Sequence, residues 1–196
     1  YTLYCEHGEI SGRLKAGVYY GDGREEFPTV GDFVLTRANP GGDSQIFATL
    51  PRRTFFSRRD PTPGRREQAV AANFDCVFIL QALGPDFNLK RLERYLTLAW
   101  QSGGVPVVVL TKADLSEDAG GYVRAAQKTA AGVDVFAVSV KTGEGMDALS
   151  PYRRPGKTIV LLGSSGVGKS SLANALAGEP VMAVREIRED DGKGRH

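Results

Sequence analysis

Cysteine is scarce: Cys5 and Cys76 are the only two. They show neither CxxC spacing nor a disulfide framework, so a reducing, cytoplasmic setting is expected and no metal cage can be built from them. Long apolar runs are missing as well. No stretch approaches the ~20 residues that cross a bilayer, and the first residues lack the charged-then-apolar layout of a secretory leader. No heptad pattern or long exposed apolar edge argues for self-association, so a monomer without membrane attachment is expected. Net charge is only +2, and all of the excess lies early in the chain. Residues 1–66 hold ten basic and eight acidic side chains, and residues 67–196 hold fifteen of each.

Residues 1–50 carry short β-prone segments, Thr2–Cys5, Glu9–Leu14, Val18–Tyr20, Asp32–Thr36 and Gln45–Thr49, each rich in β-branched or aromatic residues. Gly21-Asp22-Gly23 and Asn39-Pro40-Gly41-Gly42 supply turns where positive φ is needed. Five strands in this length suit a small barrel of the OB type, although an SH3-like barrel leaves much the same trace. Pro51 to Arg66 then reads as a linker. Pro61, Pro63 and Gly64 discourage regular structure there, and Arg52, Arg53, Arg58, Arg59, Arg65 and Arg66 face a single acid, Asp60. With Phe55 and Phe56 inside it, this stretch suits RNA phosphates and base stacking. It equally suits a solvated connection whose aromatics pack on a neighbour, and the residues alone leave both open.

From Glu67 the pattern changes to alternating strands and helices. Asp75–Leu83, Val105–Leu110, Val133–Val138 and Thr158–Leu162 are apolar runs of the kind buried on both faces of a parallel sheet. Leu89–Gln101 and Tyr122–Ala131 have helical spacing between them, and Ser170–Leu176 opens a last helix ended by Gly178-Glu179-Pro180. Arg185 to His196 is polar, charged and read as a loop. The expected domains are a barrel over 1–50, an Arg-rich linker over 51–66 and a doubly wound α/β domain over 67–196.

Ligands of such sheets bind at the carboxyl ends of the strands, and here three of those ends carry compatible chemistry. Gly163-Ser164-Ser165-Gly166-Val167-Gly168-Lys169-Ser170 fits G-x-x-x-x-G-K-S between a strand and a helix. Its backbone N–H groups and helix N-terminus suit phosphate oxygens; Lys169 suits the β- and γ-phosphates and the Ser170 hydroxyl suits Mg²⁺, with Ser171 just behind. Thr111-Lys112-Ala113-Asp114 follows the second strand. The Asp114 carboxylate accepts from both N1–H and the 2-amino group of guanine, which adenine does not offer, and the Lys112 stem suits the base plane. Ser139-Val140-Lys141-Thr142-Gly143 follows the third and resembles the S-A-K loop of GTPases, which implies that the Val140 N–H approaches the guanine O6 and that Ser139 props the aspartate loop. An ordinary GTPase has its phosphate loop first and its base reader last. Here the order is inverted, and too few residues follow Ser170 to build a sheet, so the strands come from upstream.

Together with Gln68-Ala69-Val70-Ala71-Ala72-Asn73-Phe74-Asp75 and Gly192-Lys193-Gly194-Arg195-His196, these motifs resemble the ribosome small-subunit-dependent GTPases, a family with circularly permuted G domains. The resemblance implies an α/β P-loop GTPase domain preceded by an all-β OB-fold barrel, GTP/GDP and Mg²⁺ as ligands, and partnership with rRNA and the small ribosomal subunit in its late maturation. It also implies that Lys169 is the catalytic cation, and that a switch threonine, a D-T-P-G loop and a zinc-binding domain lie past His196. These residues by themselves are therefore expected to turn over GTP weakly or not at all. The ordinary Asn is replaced by Thr111, and Val140 stands for the usual Ala. Two other classes stay open on the residues: an RNA-binding module whose nucleotide site is mainly structural, and an adenine-nucleotide P-loop enzyme, which has no need of Asp114.

Overall fold

Positions alternate between covered and exposed along strands near the start of the chain, as in Val34–Arg37, and give a sheet with one covered face. The computed structural model describes residues 1–6, 8–20, 26–58 and 68–184, and divides into two compact units, Tyr1–Phe74 and Asp75–His196. The turn Gly21-Asp22-Gly23, the Arg58 side chain, Arg59, Arg65, Arg66 and the stretch from Arg185 to His196 lie outside the described residues.

In the first unit, β1 (Thr2–Cys5), β2 (Gly8–Leu14), β3 (Val34–Arg37) and β4 (Ser44–Thr49) form a four-stranded sheet in the order β1-β2-β4-β3. Ile46 is fully buried on its inner face. The expected strand at Val18–Tyr20 is instead the helical turn α1 (Ala16–Tyr19). Packing overrides local β-propensity here, because the turn buries the Tyr19 ring and brings its hydroxyl to 3.1 Å from Thr49 Oγ1. The Asn39 turn forms, but without glycine at positive φ. The Asn39 side chain holds it instead, accepting from the Gly41 N–H at 3.3 Å.

The stretch expected to be an irregular linker contains a strand, β5 (Phe55–Arg58), which pairs antiparallel with β6 (Gln68–Ala72). Two aromatics explain it. Phe56 stacks on Phe74 with ring centroids 5.2 Å apart, and the Arg52 guanidinium lies 4.5 Å over the Phe55 ring. The first compact unit therefore runs on through Phe74, past the expected boundary at residue 66.

The second unit is an α/β domain. Its strands are β7 (Cys76–Ala82), β8 (Val105–Thr111), β9 (Asp134–Ala137) and β10 (Ile159–Leu162), and its helices are α2 (Leu89–Gln101), α3 (Ala119–Thr129) and α4 (Lys169–Ala177). All strand pairs are parallel, in the order β10-β7-β8-β9. Every residue of β7 is buried, as befits a strand flanked on both sides. Phe78 and Leu80 pack with Leu149, Val167 and Leu172. On the opposite face the Gln81 side chain reaches the N-terminus of α2, accepting from Asn88 N–H at 2.8 Å and donating to Asn88 O at 3.1 Å. Asn88 in turn caps α2 through Arg91 N–H.

The last strand in sequence thus sits beside the first. The chain crosses from β9 to β10 through a short 3₁₀ segment, Met146–Tyr152, pinned by Tyr152. Its ring packs edge-on against Phe78 and Phe136, and its hydroxyl donates to Asp134. Burial, then the Asp134 carboxylate, push the phenol up to about 12, so it stays a neutral donor. Among the described residues, no helix is long and apolar enough to cross a membrane.

Candidate nucleotide site

The chain departs in one direction from β7 through β8 to β9 and returns on the other side as β10, so the switch point of the sheet falls between β7 and β10. A crevice at the carboxyl ends of the strands is the expected ligand position at such a point. The loop Gly163–Gly168 leaves β10 there. Gly163 runs so close to β7 that a Cβ would meet the Leu80 carbonyl at 2.8 Å. Gly168, the N-cap of α4, has φ +94°, a conformation that L side chains rarely adopt. Val167 is buried and anchors the loop in the core.

Lys169 folds back across the loop and donates to Gly163 O at 2.9 Å and Ser164 O at 2.6 Å. Burial lowers the pKa of its ammonium from the usual lysine value. Among the described residues the Ser164 hydroxyl is buried without a hydrogen-bond partner. An ammonium shared by two neutral carbonyls and an unsatisfied buried hydroxyl make a donor set suited to an anion. Ser170 and Ser171 occupy the first turn of α4.

The second loop is tied directly to the first. Thr111 closes β8, and its buried hydroxyl donates to Val167 O at 2.6 Å, with Gln81 O a longer 3.3 Å away. A hydroxyl therefore makes the link between loops at the position where the usual GTPase pattern has Asn. Lys112 takes the left-handed conformation, φ +59°, which turns the chain so that Ala113 N–H donates to Val138 O at 3.1 Å. Asp114 follows in a short 3₁₀ turn and stays exposed.

The third loop meets the second through one bond. Ser139 is fully buried, and its hydroxyl donates to Asp114 Oδ1 at 2.7 Å while accepting from Thr142 N–H at 3.2 Å. Among the described residues, one carboxylate oxygen is held and the other has no partner. Val140 is half-buried beside Ser139, and Lys141 is exposed. The fold thus gathers all three loops, separated by up to 56 positions in sequence, at one edge of the sheet.

Replacing Thr111 by Val deletes the link while keeping the shape and leaves the Val167 carbonyl unpaired. We expect the second unit to lose about 1–3 kcal/mol in denaturant unfolding, with most of it recovered in Thr111→Ser. Equal stability in the Val variant would show that the bond holds nothing together.

Sequence reasoning missed three features. One is the fully buried Gln81 amide behind the site, hidden because an isolated Gln in a strand pattern carries no motif. Another is Asn174 on α4, whose side-chain amide bonds the backbone of Met182 in both directions. The third lies in the first unit. Arg13 and Arg37 each pair in register with Gln45, from opposite sides, and both are exposed. They form one cross-strand row on the outer face, with Phe47 exposed one position on from the inward Ile46. Arg52, by contrast, is occupied. It donates to Asp32 at 2.8 Å and to Glu26 at 2.5 Å, and with only 12% of its side chain exposed it serves the fold.

A parallel sheet whose phosphate-type loop follows the last strand, with base-type loops on the strands before it, defines a circularly permuted P-loop GTPase fold. The model of the RsgA GTPase family matches residues 49–196, and the chain belongs to that family. It is 46% identical over 196 residues to the small ribosomal subunit biogenesis GTPase RsgA 1 of Listeria monocytogenes, covering 100% of this chain and 55% of that protein. It is likewise 46% identical over 170 residues to the small ribosomal subunit biogenesis GTPase RsgA of Methanosarcina acetivorans, covering 86% of this chain and 46% of that protein. The chain therefore spans about half the length of the curated relatives it matches. Among solved structures it is similar to YjeQ from Thermotoga maritima, with a TM-score of 0.74 and 28% identity over 94% of this chain and 62% of that one. It is also similar to YloQ, described as a circularly permuted GTPase, with a TM-score of 0.62 and 26% identity over 89% of this chain and 59% of that one.

Proposed function

We propose that this chain binds and hydrolyses GTP as a cytoplasmic, monomeric factor in late maturation of the small ribosomal subunit. The observation that carries this reading is the pair of bonds joining the three loops, Thr111 to Val167 and Ser139 to Asp114. They support it by holding the Asp114 carboxylate and the phosphate-type loop at the same end of the sheet. In this reading the free acceptor positions of Asp114 take N1–H and the 2-amino group of guanine, the Lys112 stem covers the base, and the Val140 N–H meets O6. The backbone of Gly163–Gly168 and the buried Ser164 hydroxyl bind phosphate oxygens. Lys169 leaves its two carbonyls for the β- and γ-phosphates, where its charge stabilises the transferring phosphoryl group. The Ser170 hydroxyl is the residue here that would hold Mg²⁺, which neutralises charge on the β- and γ-oxygens when bound.

The first unit, read as an OB-type barrel, supplies the RNA contact. Two arginines flanking Gln45 on an exposed face, beside Phe47, match the combination of phosphate neutralisation and base stacking that RNA requires. This shifts the expected contact away from Arg52, whose charge is already paired.

The test uses the complete protein, with GTP turnover measured in the presence and absence of small subunits. Stimulation supports the reading, and equal rates leave an RNA-binding module with a structural nucleotide site as the better one. The Arg13→Gln/Arg37→Gln variant is expected to bind subunits more weakly, with the slope of log K against log salt shallower by about 1.4–1.8. An unchanged slope would remove this face from the RNA contact.

A further inference from the structure

The phosphate-loop helix holds on to the chain that leaves it. At the end of α4, Gly178 N–H bonds Asn174 O at 2.9 Å and the backbone turns at φ +77°. Four residues later the Asn174 side chain takes both polar groups of Met182, donating to its carbonyl and accepting from its N–H, each at 2.8 Å. Apolar burial does not hold this segment, because Val181, Met182 and Val184 remain 55%, 50% and 53% exposed. The amide bonds do. Asn174 also stands one helical turn from Ser170, and residues i and i+4 share a helix face. The clamp therefore returns the main chain to the side of α4 that carries the Ser170 hydroxyl.

We propose that Asn174 is a positioning residue for subunit-stimulated GTP turnover. Switch segments of GTPases are ordered by contacts to the γ-phosphate and its metal, and ordering free backbone costs about 1–2 kcal/mol per residue. Without the clamp, residues 179–182 would have to be ordered when the partner binds, whereas with it they already lie on the Ser170 side. Asn174 touches neither nucleotide nor metal in this scheme, and acts only by where it holds Met182. The inference rests on the GTPase reading above.

The experiment compares the complete wild-type protein with Asn174→Leu, similar in size but without either bond, and Asn174→Asp, which keeps only the acceptor. GDP affinity, unstimulated turnover, subunit-stimulated turnover at saturating GTP and hydrogen exchange at the Met182 amide are measured. We expect faster exchange in the Leu variant, GDP affinity and unstimulated turnover within about twofold of wild type, and stimulated turnover about tenfold lower, with the Asp variant between. Wild-type stimulated turnover in a Leu variant whose Met182 exchange has accelerated overturns the inference while leaving the GTPase reading intact. Loss of GDP affinity in parallel with turnover also overturns it, since Asn174 then supports the whole site. A wild-type protein that subunits do not stimulate brings down the GTPase reading and this inference with it.

Discussion

Lys169→Ala should all but abolish GTP turnover. Among the described residues the ammonium is held by the carbonyls of Gly163 and Ser164, so its removal opens no cavity in the core, where Val167 and Leu172 make the packing contacts. Alanine is also the best helix former at the start of α4, so the fold should survive. What disappears is the positive charge aimed at the phosphates. Loss of one preorganised donor at a site of developing charge costs about 10²–10³-fold in turnover, and a lost charge-assisted bond in the bound state costs roughly 1.5–3 kcal/mol of affinity. Burial already lowers the lysine pKa, so in the free protein the ammonium is lost at a lower pH than usual and nucleotide affinity should fall as pH rises through that value. Single-turnover hydrolysis by the complete protein checks the variant. A rate within tenfold of wild type would mean that the charge is supplied from elsewhere.

The second large effect is a change of base preference in Asp114→Asn. Ser139 donates to Oδ1 and can continue to do so to an amide oxygen, which turns the new NH₂ group toward the base. Guanine then meets a donor with its own 2-amino donor, while xanthine, with a carbonyl at position 2, meets it with an acceptor. We expect GDP affinity to fall by about 10²–10³-fold, roughly 3–4 kcal/mol, and xanthosine diphosphate to become the better ligand. Competition of GDP, ADP and xanthosine diphosphate for a fluorescent nucleotide decides it. Retained GDP affinity would place the base away from Asp114, and preference of the wild type for ADP would point to an adenine-nucleotide enzyme.

The four strands of the α/β domain and the helix Leu89–Gln101 were legible because burial on both faces leaves long apolar runs and an amphipathic helix leaves a 3.6-residue period. The first unit was harder to read. Val18–Tyr20 has strand composition yet forms a helical turn, since the destination of Tyr19 beneath Thr49 is a long-range fact. Phe55–Arg58 became a strand for a similar reason, having a partner at Gln68–Ala72 beyond the prolines that argued against regular structure. In the site, motif spacing identified the three loops and the likeness to an S-A-K loop implied that Ser139 props the Asp114 loop, but the bond from Thr111 to Val167 left no mark in the spacing.

Residue types and their order determined the kinds of chemistry available: a glycine-bearing anion loop with a lysine, a carboxylate for a purine edge, and a succession of motifs that only a permuted connectivity can reconcile. Tertiary structure alone decided that Thr111 clasps Val167, that Arg52 is spent on Asp32 and Glu26, that Arg13 and Arg37 share a row across Gln45, and that Asn174 pins Met182. The physical reason is range. Periodicity and turn chemistry act over a few residues, whereas a hydrogen bond or a cross-strand neighbour depends on where distant backbone is carried by the packing of the sheet.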